Sequence, residues 1–444
     1  MKRSVDSYSA FVPLLYILKV CGLDYLVLKG EIGKRKLQRS ITSVMYCSSI
    51  ILFLTTVRSI GFVFRLKFNG MYAAVYRILN IADTFHYFVT LLFLLVSIST
   101  SHLLIEIFNY FSEFDWRFNG LHKLCSRCAL IAGIRLLIGI LYYIFCVATF
   151  IIPPKDDNYF EYYIIVYTLI MDLGIMLIVN IKITTVTLLL SQRFEYINNL
   201  IVDLVKQFPG TLKHGSTLSM SDRIKHLTNH RDLVNSVSNK IVFIAKMHNL
   251  LCDVCDIYNS IFSLQALFVV LLCFVEFTLD IYIIITIVFD QIEHNADTFN
   301  AFLSLFLESF WYIVHVGVLI ISGECTANEA NRTAVLVHKL LNKKRDSGSI
   351  PALRSNLQLF SLQLLHRKVQ FTACGFFPLD FTLLYSIVGA ISAYLVILIQ
   401  FQLTFSEKEN NVTTVGSIYN FINTTNNFIS SGKCTSSETE IGDN

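Results

Sequence analysis

Charge is what this chain has least of. Asp, Glu, Lys and Arg make up 15% of its 444 residues, against about 25% in an ordinary soluble domain. Such a chain is built for lipid rather than water, and 54% of its residues are hydrophobic. Proline is rare, at six residues, and none falls inside a long apolar run. That argues against transporters, whose membrane helices are commonly broken by Gly or Pro in paired halves. Catalytic signatures are missing as well. There is no phosphate-binding glycine loop and no nucleophilic serine elbow, and His230-Arg-Asp232 lacks the Gly-rich loop and Asp-Phe-Gly of a kinase. His226 and His230 share a helix face, but no Glu follows the first His as hydrolytic zinc motifs require. The sequence therefore implies no enzyme and no cofactor.

Cysteine is not scarce, at 11 residues, yet the number is odd and only Cys434 falls clearly outside the apolar runs and basic loops. No disulfide framework follows. Cys125-Ser-Arg-Cys128 and Cys252-Asp-Val-Cys255 have zinc-like spacing. Both sit at helix ends where packing produces the same spacing, so no metal site is assigned. Tandem repeats and low-complexity tracts are absent.

What the chain has is seven apolar runs near the ~20 residues that cross a bilayer: 41–64, 81–107, 128–152, 162–190, 261–289, 299–323 and 379–403. The expected fold is an all-α membrane protein of seven transmembrane helices. Of 36 Lys and Arg residues, 27 fall in segments 1–40, 109–127, 191–260 and 324–378, and 6 in the alternate segments. Basic residues mark the cytosolic side, so the N-terminus is expected in the cytosol and the C-terminus outside. The net charge of +4 thus tracks the membrane side and implies no nucleic-acid partner. Sequons at Asn411 and Asn423 then lie on the glycosylated side, whereas Asn331-Arg-Thr333 falls in a predicted cytosolic loop. Lys19 interrupts the apolar run of Phe11 to Leu18 and no small-residue cleavage site follows, so the first membrane helix is expected to serve as the targeting signal.

Five regions result: a cytosolic segment 1–40, six membrane helices within 41–323, a cytosolic loop and anchor helix in 324–378, a last membrane helix in 379–404, and an extracellular Asn/Ser/Thr-rich tail 405–444. Residues 218–289 lack Gly and Pro and read as one helix running into the fifth span. Beyond Pro351, Leu353, Leu357, Phe360, Leu364 and Phe371 recur at helical steps, broken by Arg367. That apolar seam suits docking on the same chain or self-association.

The last helix carries Ser386, Ala390, Ala393, Ile397, Gln400 and Thr404 on one side. The opposite side holds Val388, Ile391, Leu395, Leu398 and Ile399. A small, polar stripe fits a water-filled path with an apolar constriction. It fits close helix packing as well, through Gly389 and Ala393.

The run from Phe371 to Tyr385, continuing through Ala393-Tyr-Leu-Val-Ile-Leu-Ile-Gln-Phe401, resembles the C-terminal signature of insect gustatory receptors. There, Thr-Tyr, five apolar residues and Gln-Phe close the last helix. Tyr394, Gln400 and Phe401 match, and Ala393 replaces the usual Thr. Glu329-Ala-Asn-Arg-Thr333 is similar to the family upstream. The resemblance implies a homotetrameric ligand-gated cation channel, related to insect odorant receptors and opened by a small-molecule tastant at the plasma membrane of chemosensory neurons. It places Ile397 and Phe401 at the gate and Gln400 in the polar ring, with Ser386 and Ala393 along the pore. A neutral ring implies little selectivity among permeating cations. The sequence between Phe376 and Phe381 looks more like the bitter-sensing group than the sugar-sensing groups.

A ligand pocket is expected in the outer half of the bundle, where aromatic walls and a few polar groups orient a small molecule. Glu308, Trp311, Tyr312 and His315 share one helix face. Asp83, Thr84, His86 and Tyr87 lie on the second span, Tyr163, Tyr167 and Asp172 on the fourth, and Glu276, Asp280 and Tyr282 on the fifth. Each also suits a structural hydrogen bond between helices. A G-protein-coupled receptor would need an outside N-terminus, Asp/Glu-Arg-Tyr after the third span and Asn-Pro-x-x-Tyr in the seventh, all lacking here.

Overall fold

The structure, a computed structural model, describes residues 11–24, 26–30, 36–66, 73–118, 122–150, 159–207, 220–289, 296–345 and 351–400. Helices dominate: α1 Val12–Val20, α2 Ile41–Leu66, α3 Ala73–Arg117, α4 His122–Phe150, α5 Tyr159–Gln207, α6 Met220–Phe289, α7 Ala296–Arg345 and α8 Pro351–His366, then α9 Phe381–Gln400. Two small antiparallel hairpins interrupt them, β1 Leu26–Lys29 with β2 Lys36–Arg39, and β3 Thr372–Ala373 with β4 Phe377–Pro378. By contact the chain divides into two units, Met1–Ile387 and Val388–Asn444.

Among the described residues, five helical stretches are long and apolar enough to cross a bilayer: Thr84–Arg117, Ile170–Lys206, Asn235–Ile285, Leu305–Asn342 and Phe381–Gln400. Two shorter apolar stretches, Ile41–Val57 and Leu130–Phe145, complete the order of seven expected spans. The long helices overshoot any membrane. The 70 residues of α6 extend ~105 Å at 1.5 Å per residue, against a hydrocarbon core of ~30 Å. The uninterrupted helix expected from residue 218 is therefore there, and the long loops of the sequence are mostly helix.

In the first unit α5 is the packing centre, touching α2, α3, α4, α6 and α7. Its most apolar window is 89% buried, as an apolar surface on every side requires. The interrupted apolar run near the N-terminus forms α1, begun by Pro13 at a position where a missing N–H costs nothing. Phe11, Leu18 and Leu23 are buried, and the Phe11 ring sits 4.8 Å from that of Phe108 on α3.

At the end that the loop charges assign to the cytosol, α8 packs on α6 and α7. Leu353, Leu357, Phe360 and Leu364 are all buried, so the seam faces its own chain. The helix stops at His366, earlier than the seam's spacing suggested. Asn331 on α7 captures the next residues: its amide nitrogen donates to Val369 O at 2.9 Å and its oxygen accepts Val369 N–H at 3.1 Å. Phe371 is buried from the extended stretch beyond, edge-on to Tyr258. Arg367 pairs with Asp253 and lies 3.5 Å from Asp256. Partial burial works against its charge, but the hydrogen bond and charge of Asp253, with Asp256, raise its pKa on balance.

Gly323 explains how α7 meets the start of the last helix. A Cβ there would stand 3.2 Å from Leu379 O, with the backbone giving no room. The β3–β4 turn bends through Cys374 and Gly375, both at positive φ, a conformation glycine adopts freely.

Candidate functional site

The predicted face of α7 is buried inside the first unit. Trp311, Tyr312 and His315 are each at most 5% exposed, and Glu308 is half-buried. Trp311 stacks flat on Tyr142 of α4, with centroids 4.4 Å apart and 4° between the rings. Tyr142 in turn donates its hydroxyl to Leu307 O at 2.6 Å. The His315 ring stands edge-on to Trp311 at 4.1 Å, and Asn180 of α5 donates to His315 O at 2.9 Å. One aromatic block thus ties α4, α5 and α7 together.

Carboxylates gather beside it. Tyr312 donates to Glu308 at 3.1 Å, and Ser309 donates to Asp280 of α6 at 3.1 Å. His86 Nδ1 of α3 lies 3.7 Å from Glu276 Oε1. Intramembrane acids face protein or water because lipid cannot solvate them, and each of these has a polar neighbour on another helix or turn. Tyr282 is buried. Tyr87 and Asp172 line a small cavity of about 20 Å³ with Thr90 and Met171, room for about one water. Thr84 is exposed. The side chains of Asp83, Tyr163 and Tyr167 lie outside the described residues, as do Phe401, Asn411 and Asn423.

Sequence reading missed Tyr142, Asn180 and Ser309. A search for every polar residue within the apolar runs would have found Asn180, since such residues are rarely idle. It missed a second buried polar junction too. Lys182 of α5 and Gln265 of α6 both donate to Ser97 of α3, at 2.8 and 2.9 Å, with the Phe262 ring 5.7 Å from the ammonium.

On α9, Ser386, Ala393, Ile397 and Gln400 are exposed and Ala390 is half-buried. Of the opposite side, Ile391 is buried, Leu395, Leu398 and Ile399 are half-buried, and Val388 is exposed. Only 11% of the helix's most apolar window is buried. A cleft of about 450 Å³ lies between α7 and α8, lined in part by His338, Ser361, Leu362 and Leu365. On α8, Leu359, Leu362 and Leu365 are exposed.

The motif Glu329-Ala-Asn-Arg-Thr333 sits at the crossing of α5 and α7. The amide nitrogen of Asn198 donates to both the backbone and side-chain oxygens of Glu329, each at 2.8 Å. Its oxygen accepts the Thr333 hydroxyl at 2.7 Å.

A family model described as 7tm Chemosensory receptor matches residues 12–405. The chain belongs to the 7tm chemosensory receptor family. Among its relatives is the Drosophila melanogaster protein designated gustatory receptor 28a, 34% identical over 177 residues, covering 40% of this chain and 38% of that one. Gustatory receptor for bitter taste 66a, from the same organism, is 29% identical over 192 residues, covering 41% and 34%. The matches therefore span little more than a third of these relatives' length. The solved insect olfactory receptor OR5 from Machilis hrabei superposes with a TM-score of 0.62, at 12% identity, over 88% of this chain and 97% of that one. This member of the chemosensory receptor family is accordingly an all-α membrane protein of seven membrane helices.

Proposed function

We propose that this chemosensory receptor is a gustatory receptor acting as a ligand-gated, non-selective cation channel, a homotetramer in the plasma membrane of chemosensory neurons. The observation that carries the reading is α9, a membrane helix with an exposed stripe of Ser386, Ala393, Ile397 and Gln400. Polar groups against lipid are costly. The stripe is better placed against water on a shared axis, with Ile397 and Phe401 closing the path by dewetting and Gln400 supplying the polar ring on opening. Exposed Leu359, Leu362 and Leu365 on α8 support contact between copies at the cytosolic anchor, region 324–378. Region 41–323 carries the ligand site around Trp311, Glu308, Tyr312 and His315, and 405–444 is an extracellular, glycosylated tail.

The tastant is a bitter-type plant metabolite that enters from outside. It opens the pore only to the extent that it binds the open arrangement more tightly than the closed one. The residues of the site fit a sugar in the same way, so the test compares the two. In oocytes expressing the chain alone, alkaloids or plant glucosides should evoke inward cation current and simple sugars should not. Current evoked by sugars alone would make this a sugar-gated receptor, and second-messenger signalling without any channel current would overturn the channel reading.

A further inference from the structure

We infer that the ligand is recognised through a hydroxyl group held between the indole N–H of Trp311 and Nε2 of His315, an inference that rests on the ligand site placed around Trp311 above. His315 Nδ1 lies 3.0 Å from Trp311 O. A carbonyl oxygen only accepts, so Nδ1 carries the proton. A buried imidazolium without a carboxylate partner is costly, which makes the ring the neutral tautomer and leaves Nε2 an acceptor. The indole N–H is only a donor. Among the described residues both atoms are buried without a hydrogen-bond partner, and their rings meet edge to face with centroids 4.1 Å apart. Buried polar atoms are nearly always paired, so an unpaired donor and an unpaired acceptor on two touching rings point to a group that does both.

A hydroxyl is that group. An ammonium donates only and leaves the indole unpaired, and a carboxylate accepts only and leaves Nε2 unpaired. The neighbouring acids already have protein donors, Glu308 accepting from Tyr312 and Asp280 from Ser309. The pair is also held in place: Tyr142 stacks on Trp311 and fixes its plane, and Asn180 binds the backbone of His315. The group recognised here is therefore an alcohol or phenol hydroxyl.

The chain has two tryptophans, and Trp116 is exposed. The full chain carrying Trp116→Phe, in lipid nanodiscs, makes Trp311 the sole reporter. Two matched pairs serve as probes, phenol with anisole and 2-phenylethanol with ethylbenzene. Binding is read from Trp311 emission and hydrogen bonding from the indole band in ultraviolet resonance Raman spectra. The hydroxyl member of each pair should bind at least about tenfold more tightly than its partner, because a site built for a hydroxyl rejects the analogue lacking it, and should shift the indole band. His315→Phe should abolish the preference within each pair, and His315→Gln, which keeps an acceptor, should retain part of it. Equal affinities within each pair, with Trp311 responding, would overturn the hydroxyl inference and leave the site standing. Probes that bind without altering Trp311 emission would overturn the site itself. Failure of every probe to bind would mean the pair holds only water, and would also refute the inference.

Discussion

Trp311 concentrates the chemistry of the site in one side chain. It stacks on α4, touches His315 one turn along, and keeps a buried N–H in hand. Removing it should alter ligand affinity without touching the ion path. Trp311→Ala is expected to shift the half-maximal agonist concentration by about tenfold or more, since truncating a buried aromatic anchor commonly costs 2 kcal/mol or above. Single-channel conductance should stay the same. Unchanged sensitivity with reduced conductance would reverse the assignment of the two regions. The sequence placed Glu308, Trp311, Tyr312 and His315 together because helical spacing alone puts them on one face. It did not reveal Tyr142, Asn180 or Ser309, because which helix lies opposite a given face is a tertiary fact that no local spacing encodes.

Among the elements, the α7–α8 connection depends on one amide. Asn331 satisfies both the N–H and the C=O of Val369, where the chain leaves α8 and turns toward the last helix. Each such bond contributes about 1 kcal/mol net, and an orphaned backbone group costs about 1–3. Asn331→Ala should therefore lower the thermal unfolding temperature of the purified receptor measurably, while Asn328→Ala, on an exposed turn of the same helix with a partner one turn away, should leave it nearly unchanged. Equal melting of the two variants would remove the structural role. The α8 seam was legible as a helical repeat of Leu and Phe, and its burial against α6 and α7 follows that repeat. The helix end at His366 was not legible, because Asn331 lies 38 residues from Val369.

For the whole molecule, the distribution of Lys and Arg carries the topology. If the N-terminus is cytosolic, Asn411 and Asn423 face the glycosylating side and Asn331 does not. Glycosidase treatment should shift the electrophoretic mobility of the full chain, and the shift should vanish in Asn411→Gln/Asn423→Gln. Asn331→Gln should leave it intact, and a shift that depends on Asn331 would invert the topology. Seven apolar runs, the low charge and the terminal signature make the fold legible in the sequence, since each is a bulk or local property. The extent of the long helices beyond the membrane was only partly readable, because polar helix and polar loop share the same composition.

The central claim is that four copies of α9 line one water-filled path. Cysteine substitution from Ser386 to Gln400, one position at a time in a responding channel, with a positively charged thiol reagent applied during agonist exposure, tests it most directly. Current should fall on modification at Ala393, Ile397 and Gln400, and persist at Leu395, Leu398 and Ile399. Loss of current at every position alike, or at the second set alone, would contradict the account.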